Sequence, residues 1–261
     1  MLKQAKIIAG ACLAGGLALA SCSHTSSDIA FETKADSCAF LSPDWYGDSV
    51  YSIASYSMVW PSKVGDADLV ALHDSLLAYA FDTITPDFSQ AAGHFFRTGP
   101  IDGQNVTLQP TDMETARVAE KCNELIAQGY VSLLTQRTLV MGIDTYGYFF
   151  GAAHGYGTST YINYSLSERC IITADNLFEA DKVEEVIETV KDIARERYAS
   201  KEVNIDDINS INTFRITPKQ VVFVYQPYDI APYYMGVIEI PVNIYDLYET
   251  LTPLGHKALN I

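Results

Sequence analysis

Five histidines could bind a metal ion or move a proton, so their spacing is the first test of chemistry in this chain. No histidine lies two, three or four residues from another, the separations at which paired imidazoles on one strand or helix share a metal. The sequence therefore predicts no local metal site. The histidines are His24, His73, His94, His154 and His256.

Other reactive motifs are incomplete. The chain has no Gly-x-Ser-x-Gly sequence, which holds the nucleophile of many serine hydrolases. Gly155 and Gly157 begin a dinucleotide-like loop, but the third glycine is missing and strand sequences flank the loop, so no cofactor is expected. The 32 acidic residues could serve a hydrolase only if the fold brings two carboxylates together. The sequence favours a non-enzymatic protein, with a hydrolytic enzyme as the alternative.

His154 lies in the run YFFGAAHGYGT, residues 148–158, between glycines and inside the most aromatic part of the chain. Flanking glycines indicate a special backbone geometry, and no second histidine, cysteine or motif-bound carboxylate accompanies this imidazole. We therefore expect a loop histidine that hydrogen-bonds to the backbone or to a neighbouring tyrosine. A direct role in binding is the alternative.

Tyrosines form the second candidate set, because 17 are present and two groups of them surround glycine- and proline-containing loops. Tyrosine offers a large contact area and a hydroxyl, and it is enriched at protein interfaces. The competing explanation is that alternate tyrosines pack on a sheet. The predicted partner-binding residues are Tyr148, His154, Tyr156, Tyr228 and Tyr233.

The N-terminus has the pattern of a bacterial lipoprotein signal. Lys3 and Lys6 precede an apolar run over residues 7–19, which is too short to span a bilayer comfortably. The run ends in Leu-Ala-Ser before Cys22, the pattern at which such signals are cleaved and the cysteine is acylated. We expect a signal peptide over residues 1–21 and a membrane anchor through lipid on Cys22.

The segment after Cys22 is rich in serine and threonine, which predicts a flexible tether over residues 22–44. No acidic run directly follows Cys22. We therefore expect the bacterial cell envelope, at the outer membrane, facing the periplasm or the cell surface. Cys38, Cys122 and Cys170 would remain there after cleavage; an oxidising envelope permits one disulfide among them, with the pairing open.

The chain is strongly acidic. Its formal net charge is −15, and cleavage of the signal would remove Lys3 and Lys6 but no acidic residue, giving −17. Such a charge disfavours nucleic acid and anionic lipid headgroups as partners, and it would speed encounter with a basic protein. Simple solubility of an envelope protein is the alternative explanation of the charge.

The elements that must position these residues begin with a strand over residues 48–60 and an amphipathic helix over 66–81. Residues 83–110 lack periodicity and carry several prolines and glycines, which predicts a long loop or ragged strands. A capping-box spacing at Thr111 and an apolar series after it predict a helix that ends near Gly129.

The second half of the chain predicts an antiparallel sheet in which the His154 loop joins two strands. This mixture of strands and helices indicates an α+β fold, with mainly antiparallel sheets packed by helices. The expected elements are strands at 130–143, 146–150, 158–166 and 236–240, a capped turn at 172–178, a helix at 183–198, a hairpin at 214–225 and a helix at 243–251.

Two segments carry a recognisable order of motifs: GAAHGYGTSTYINYSLSERCIITADNLF at 151–178 and FRITPKQVVFVYQPYDIAPYYMGVIEIPVNIYDL at 214–247. Together they resemble the C-terminal domain family of the lysozyme-binding anti-sigma factor of Gram-positive bacteria. That family also occurs in peptidoglycan deacetylases and in uncharacterised envelope lipoproteins. The resemblance covers residues 141–255. Ala152 replaces the second glycine of the family's Gly-Gly-Ala-His-Gly, which predicts a less permissive loop.

The resemblance implies tandem domains, with a smaller N-terminal α+β domain over residues 45–143 and the C-terminal family domain over 144–261. It also implies a binding module, because deacetylase chemistry belongs to a separate domain. We therefore expect a lipid-anchored, non-enzymatic envelope protein that binds an envelope protein or peptidoglycan glycan, a basic lysozyme being one such partner. A peptidoglycan-modifying or other hydrolytic enzyme is the alternative, and a purely structural lipoprotein is a third.

Overall fold

The computed structural model describes residues 29–43, 48–98, 108–199 and 201–261. The expected signal peptide, Cys22 and His24 lie outside these ranges, so lipidation at Cys22 stays a prediction. No helix in the described ranges is long and apolar enough to cross a membrane.

The described chain alternates strands and helices. The strands are β1 (Ile29–Pro43), β2 (Ser49–Val64), β3 (Gln109–Pro110), β4 (Cys122–Leu134), β5 (Thr138–Tyr148), β6 (Tyr156–Ser165), β7 (Cys170–Ile172), β8 (Phe214–Ile216), β9 (Gln220–Tyr225) and β10 (Ile238–Asn243). The α-helices are α1 (Val70–Phe81), α2 (Phe88–Thr98), α3 (Met113–Arg117), α4 (Ala174–Leu177), α5 (Val183–Tyr198) and α6 (Pro253–Leu259).

The strands form two sheets. The larger sheet has the order β3-β1-β2-β4-β5-β6-β7, and the smaller one has the order β10-β9-β8. Neighbouring strands are antiparallel throughout, except that β2 and β4 run parallel. The predicted α+β class with mainly antiparallel sheets is confirmed.

Two hydrophobic clusters lie on opposite faces of the large sheet, and β5 separates them. Leu139, Met141 and Ile143 are fully buried with α1 and α2, whereas Val140 is buried with α5 and the small sheet. This division follows from the period of two along a strand, which points successive side chains to opposite faces. A run that is apolar at every position therefore identifies β5 as a central strand covered on both sides.

Several predicted elements are confirmed. The strand expected at 48–60 is β2, the helix at 66–81 is α1, and the helix at 183–198 is α5. The hairpin at 214–225 is formed by β8 and β9. The expected capped turn is α4, where Thr173 and Asn176 form the capping box.

The helix expected from Thr111 to Gly129 is wrong. Asp112 caps a short helix, α3, and residues from Cys122 onward form β4 between β2 and β5. The physical reason is a burial period of two: Asn123, Leu125 and Ala127 face the interior while the residues between them are less buried. A few apolar residues at helical spacing concealed this alternation.

The loop expected over residues 83–110 is also corrected, because α2 lies within it. Phe88, Ala91, Ala92 and Phe96 recur at steps of three and four and are all buried against the large sheet. Alanine is only weakly hydrophobic, so this apolar period is less visible than one made of leucines, and the nearby Pro86, Gly93 and Gly99 indicated a loop.

The flexible tether expected over 22–44 is corrected in its second half. Residues 29–43 form β1, which pairs along its whole length with β2. The expected domain boundary at 143/144 falls inside β5, and it stays a prediction. The final helix expected at 243–251 is instead a 3-10 helix, Ile244–Thr250, followed by α6.

Candidate functional site

The two tyrosine-rich segments meet around His154. The loop between β5 and β6 lies against the connection between β9 and β10, so that the imidazole of His154 stacks on the ring of Tyr233. Their ring centroids are 3.8 Å apart, and Tyr228 stacks on Tyr233 at 5.6 Å. Residues more than seventy positions apart therefore share one surface.

Hydrogen bonds define the state of His154. Its Nδ1 is 2.9 Å from the carbonyl oxygen of Gly155, and its Nε2 is 3.3 Å from the hydroxyl of Tyr228. A carbonyl only accepts, so Nδ1 carries the proton, and Tyr228 donates to Nε2 in the neutral imidazole. The hydroxyl of Tyr233 donates to the same carbonyl of Gly155. His154 thus makes both expected contacts, one with the backbone and one with a tyrosine.

Gly151 and Gly155 are each required in this loop, for different reasons. Gly151 has φ +90°, which glycine adopts at little cost. Gly155 is buried under the ring of Tyr146, and a Cβ there would collide with that ring. Ala152 has no positive φ, so the alanine fits the position where the resembling family has glycine, and the strained conformation falls one residue earlier.

Gln226 fixes the opposite side of the site. Its side-chain nitrogen donates to the carbonyl of Ser159 at 2.8 Å, and its side-chain oxygen accepts from the amide of Ser159 at 3.0 Å. The carboxylate of Asp229 accepts from the backbone amide of Gln226 at 2.7 Å. Tyr228, with φ +75°, lies in the turn that these bonds close. The side chain of Gln226 therefore pairs with the backbone of β6 as a neighbouring strand would, and it attaches the β9–β10 connection to that strand.

The structure brings together most of the predicted binding residues. His154, Tyr228 and Tyr233 are in mutual contact, and the hydroxyl of Tyr156 lies 3.4 Å from the carbonyl oxygen of Pro227. Tyr148 lies on β5 opposite Glu124, and no ring contact or hydrogen bond of the described residues joins it to His154. Tyr148 as a partner-binding residue stays a prediction.

A pocket of about 480 Å³ opens beside this cluster. We call it the tyrosine pocket, because tyrosines from β5 and from the β9–β10 connection line it. Its lining includes Asp144 of β5 together with Tyr146, Thr158, Tyr233, Tyr234 and Gly236. The sequence analysis missed Asp144; the available signal was a carboxylate inside an otherwise apolar strand, two positions before Tyr146.

The tyrosine hydroxyls around the site are hydrogen-bond donors at neutral pH. Burial, followed by the charge of Glu124, raises the pKa of Tyr146. Burial and the charge of Asp229 likewise raise the pKa of Tyr156. These groups can bind a ligand through a phenol, but they do not provide a phenolate base.

The described thiols do not offer a nucleophile. Cys38, Cys122 and Cys170 are free, so the disulfide that the sequence permitted is not formed among them. Burial, with Asp36 and Asp87 nearby, raises the pKa of Cys38 to about 11. Burial also raises the pKa of Cys122 and of Cys170, so all three are protonated at neutral pH. Within the described ranges, no group of three His, Cys, Asp or Glu side chains could hold a metal ion.

Comparison with known proteins identifies part of the chain. Residues 175–245 match the DUF3298 family, described as a protein of unknown function. A DUF3298 family member from Bacteroides fragilis has a similar fold, with TM-score 0.64 and 17% identity over 89% of this chain and 98% of that one. A DUF3298 protein from Pseudomonas aeruginosa gives TM-score 0.56 and 14% identity over 86% of this chain and 96% of that one. No curated protein matches the chain.

The DUF3298 match covers one half of the site. Gln226, Tyr228 and Tyr233 lie within the matched residues, whereas Asp144 and His154 precede them. At these identities the similarity to the two solved structures concerns the fold alone. The relation to the anti-sigma factor and to deacetylases stays a prediction, as does a separate N-terminal partner domain.

Proposed function

We propose that this protein is a non-enzymatic binding module of the bacterial cell envelope, anchored by lipid on Cys22, which engages a basic envelope protein. The observation that carries the proposal is an exposed group of aromatic rings on a fixed backbone. We call it the aromatic surface; it consists of His154, Tyr156, Tyr228, Tyr233 and Tyr234.

The rings of the aromatic surface are both accessible and held in place. Tyr156, Tyr228 and Tyr234 have exposed fractions of 43%, 61% and 72%. Tyr228 is nevertheless stacked on Tyr233 and hydrogen-bonded to His154, so a partner would meet rings that are already ordered. Ordering of side chains before binding lowers the entropy that association costs, by about 0.5–1.5 kcal/mol for each immobilised side chain.

Charge favours a basic partner. The whole chain has a formal net charge of −15, and the carboxylates of Glu202 and Asp229 lie beside Tyr234 and Tyr156 of the aromatic surface. Opposite charge speeds diffusional encounter, and aromatic anchors then supply affinity. A lysozyme or other muramidase of high positive charge fits both requirements, and a peptidoglycan glycan fits the aromatic one.

The residues around the tyrosine pocket do not favour hydrolysis. A glycosidase needs two carboxyl groups about 5–9.5 Å apart, whereas Asp144 is the single carboxylate in the lining of this pocket. The phenols of Tyr146 and Tyr156 are protonated at neutral pH, as are the described thiols elsewhere in the fold, so none of them is a ready base or nucleophile.

The test is a titration of the purified protein with a basic lysozyme at two salt concentrations. We expect saturable binding that weakens between 0.05 and 0.3 M salt, because the Debye length falls to about 6 Å over that range. Tyr228→Ala should weaken binding by about tenfold, in the manner of an aromatic anchor. The matched control is Tyr245→Ala, since Tyr245 is 71% exposed and lies outside the aromatic surface.

Two results would contradict the proposal. One is the absence of saturable binding to lysozyme and to soluble peptidoglycan fragments at low salt. The other is equal loss of affinity in Tyr228→Ala and Tyr245→Ala, which would indicate non-specific attraction by charge.

A further inference from the structure

The tyrosine pocket contains a carboxylate with an unused acceptor. Oδ1 of Asp144 is shielded from solvent and has no hydrogen-bond partner among the described residues, although the side chain as a whole is partly exposed and lines the pocket. A buried acceptor without a partner is unfavourable, so a donor that meets this carboxylate once the side chain rotates towards the pocket gains more than it would at an exposed one.

Arg215 of the small sheet is already engaged by another carboxylate. Arg215 of β8 binds both carboxylate oxygens of Glu239 on β10, at 3.2 Å through Nε and 2.9 Å through its terminal nitrogen. Its guanidinium also lies over the ring of Tyr161, 5.6 Å from the centroid. This bidentate ion pair commits Arg215 to Glu239, and no ion pair of the described residues involves Asp144.

The walls of the pocket are suited to a cation and are held in position. Tyr146 lies across Gly155, Tyr233 is fixed by its stack on His154, and Tyr234 lies beside the carboxylate of Glu202. The hydroxyls of Thr145 and Thr158 bond each other at 2.6 Å across the β5–β6 pair at the pocket margin. Faces of aromatic rings attract cations, and they do so more strongly when the cation is desolvated.

We propose that the tyrosine pocket binds the side-chain cation of a lysine or arginine, with the alkyl stem against the tyrosines and the charged group against the carboxylate of Asp144. The proposal deepens the proposed function, because it names the part of a basic partner that the site would recognise. The pocket, at about 480 Å³, has room for such a side chain.

The direct test uses small probes and does not require the protein partner. Nα-acetyl-lysine methylamide and its arginine analogue are titrated into the isotope-labelled protein, and amide shifts are followed by NMR. The norleucine analogue, which has a similar stem but no charge, is the ligand control. We expect weak, saturable shifts centred on residues 144–146, 157–159 and 233–237 for the two cations only.

Asp144→Asn is the decisive variant, since the amide keeps the size of the side chain and removes its charge. It should weaken binding of the lysine probe by about ten- to hundredfold, the loss expected for a hydrogen bond to a charged group. Asp246→Asn, which removes an exposed carboxylate elsewhere, is the matched control. Unchanged thermal stability of Asp144→Asn would exclude unfolding as the cause.

The outcomes separate this inference from the proposed function. If Asp144→Asn binds the lysine probe as well as the parent protein does, or if the shifts spread evenly over the acidic surface, the cation pocket is wrong. Lysozyme binding that depends on Tyr228 but not on Asp144 would keep the binding module and reject the pocket. Binding of glucosamine without binding of the lysine probe would also overturn it, because it would assign the pocket to an amino sugar.

Discussion

At the scale of single residues, His154 has a potentially reactive side chain whose contacts join two distant segments of the chain. Its two ring nitrogens are taken by the carbonyl of Gly155 and the hydroxyl of Tyr228, and its face is covered by Tyr233. The contacts therefore hold the two tyrosine-rich segments together.

Replacement of His154 by alanine should lower the free energy of unfolding by about 1–2 kcal/mol, from one lost stack and two lost hydrogen bonds on an exposed side chain. Thermal unfolding measures the loss. His154→Phe is the companion variant, because it keeps the ring stack and should recover part of the stability. A change in partner affinity larger than the change in stability would instead place His154 directly at the interface.

The raised pKa of Cys38 gives a pH dependence with a definite sign. The pKa is about 11 in the folded protein and 9.0 for a model thiol, so the unfolded chain loses its proton first as the pH rises. The free energy of unfolding should therefore fall between about pH 9 and pH 11 through this group. The fall should be smaller in Cys38→Ala, measured by urea unfolding at pH 8, 9 and 10. An identical fall in both proteins would contradict the prediction, since tyrosines titrate in the same range in each.

At the scale of elements, helices and strands could be predicted from the sequence wherever a single hydrophobic period dominates a segment. α5 has apolar residues at Val186, Ile187 and Val190 among charged ones, and β8 and β9 form the hairpin that was expected over residues 214–225. The prediction was wrong for β4, because four apolar residues happened to have helical spacing. The alternation of buried and exposed side chains that marks the strand arises only where β4 lies between β2 and β5. Tertiary pairing, which no local window contains, decided that segment.

The residues of the candidate site also fall into two groups, those that the sequence indicated and those that it did not. The sequence indicated His154 and the tyrosines, because residue type and glycine spacing are visible locally. It did not indicate Asp144 or Gln226, whose importance arises only when β5, β6 and the β9–β10 connection lie side by side. The chain has 32 acidic residues, and the residues next to Asp144 in the sequence do not distinguish it from the others.

Gln226→Ala tests whether this connection depends on the two bonds to Ser159. The variant should lose about 1–3 kcal/mol, because both backbone groups of Ser159 lose their side-chain partner. Hydrogen exchange should report faster exchange at Ser159 and over residues 226–236. Gln128→Ala, an exposed substitution on β4, serves as the control. Unchanged protection at Ser159 would show that the tyrosine stack alone holds the connection.

At the scale of the whole molecule, the two cores pack on opposite faces of the large sheet, and the candidate site lies at the end of β5, the strand between them. β5 contributes Met141 to one core and Val140 to the other, then continues to Asp144 and Tyr146 of the tyrosine pocket. The pocket therefore lies on a strand whose first half is fully buried, and the aromatic surface lies on the loop that follows this strand and on the β9–β10 connection. Such an arrangement gives a binding surface a rigid base with accessible rings.

The proposed place of this surface in the cell depends on Cys22. If Cys22 carries lipid, Cys22→Ala should abolish labelling with a fatty acid and move the protein from the detergent phase to the aqueous phase. The physical reason is that each buried CH2 of an acyl chain contributes about 0.8 kcal/mol to membrane binding, a contribution that the variant lacks. Cys38→Ala is the matched control, since it removes a cysteine of β1 and should leave the detergent fraction unchanged. A Cys22→Ala protein that remains in the detergent phase with unchanged mass would show that the anchor lies elsewhere, and the binding module would then need another means of attachment.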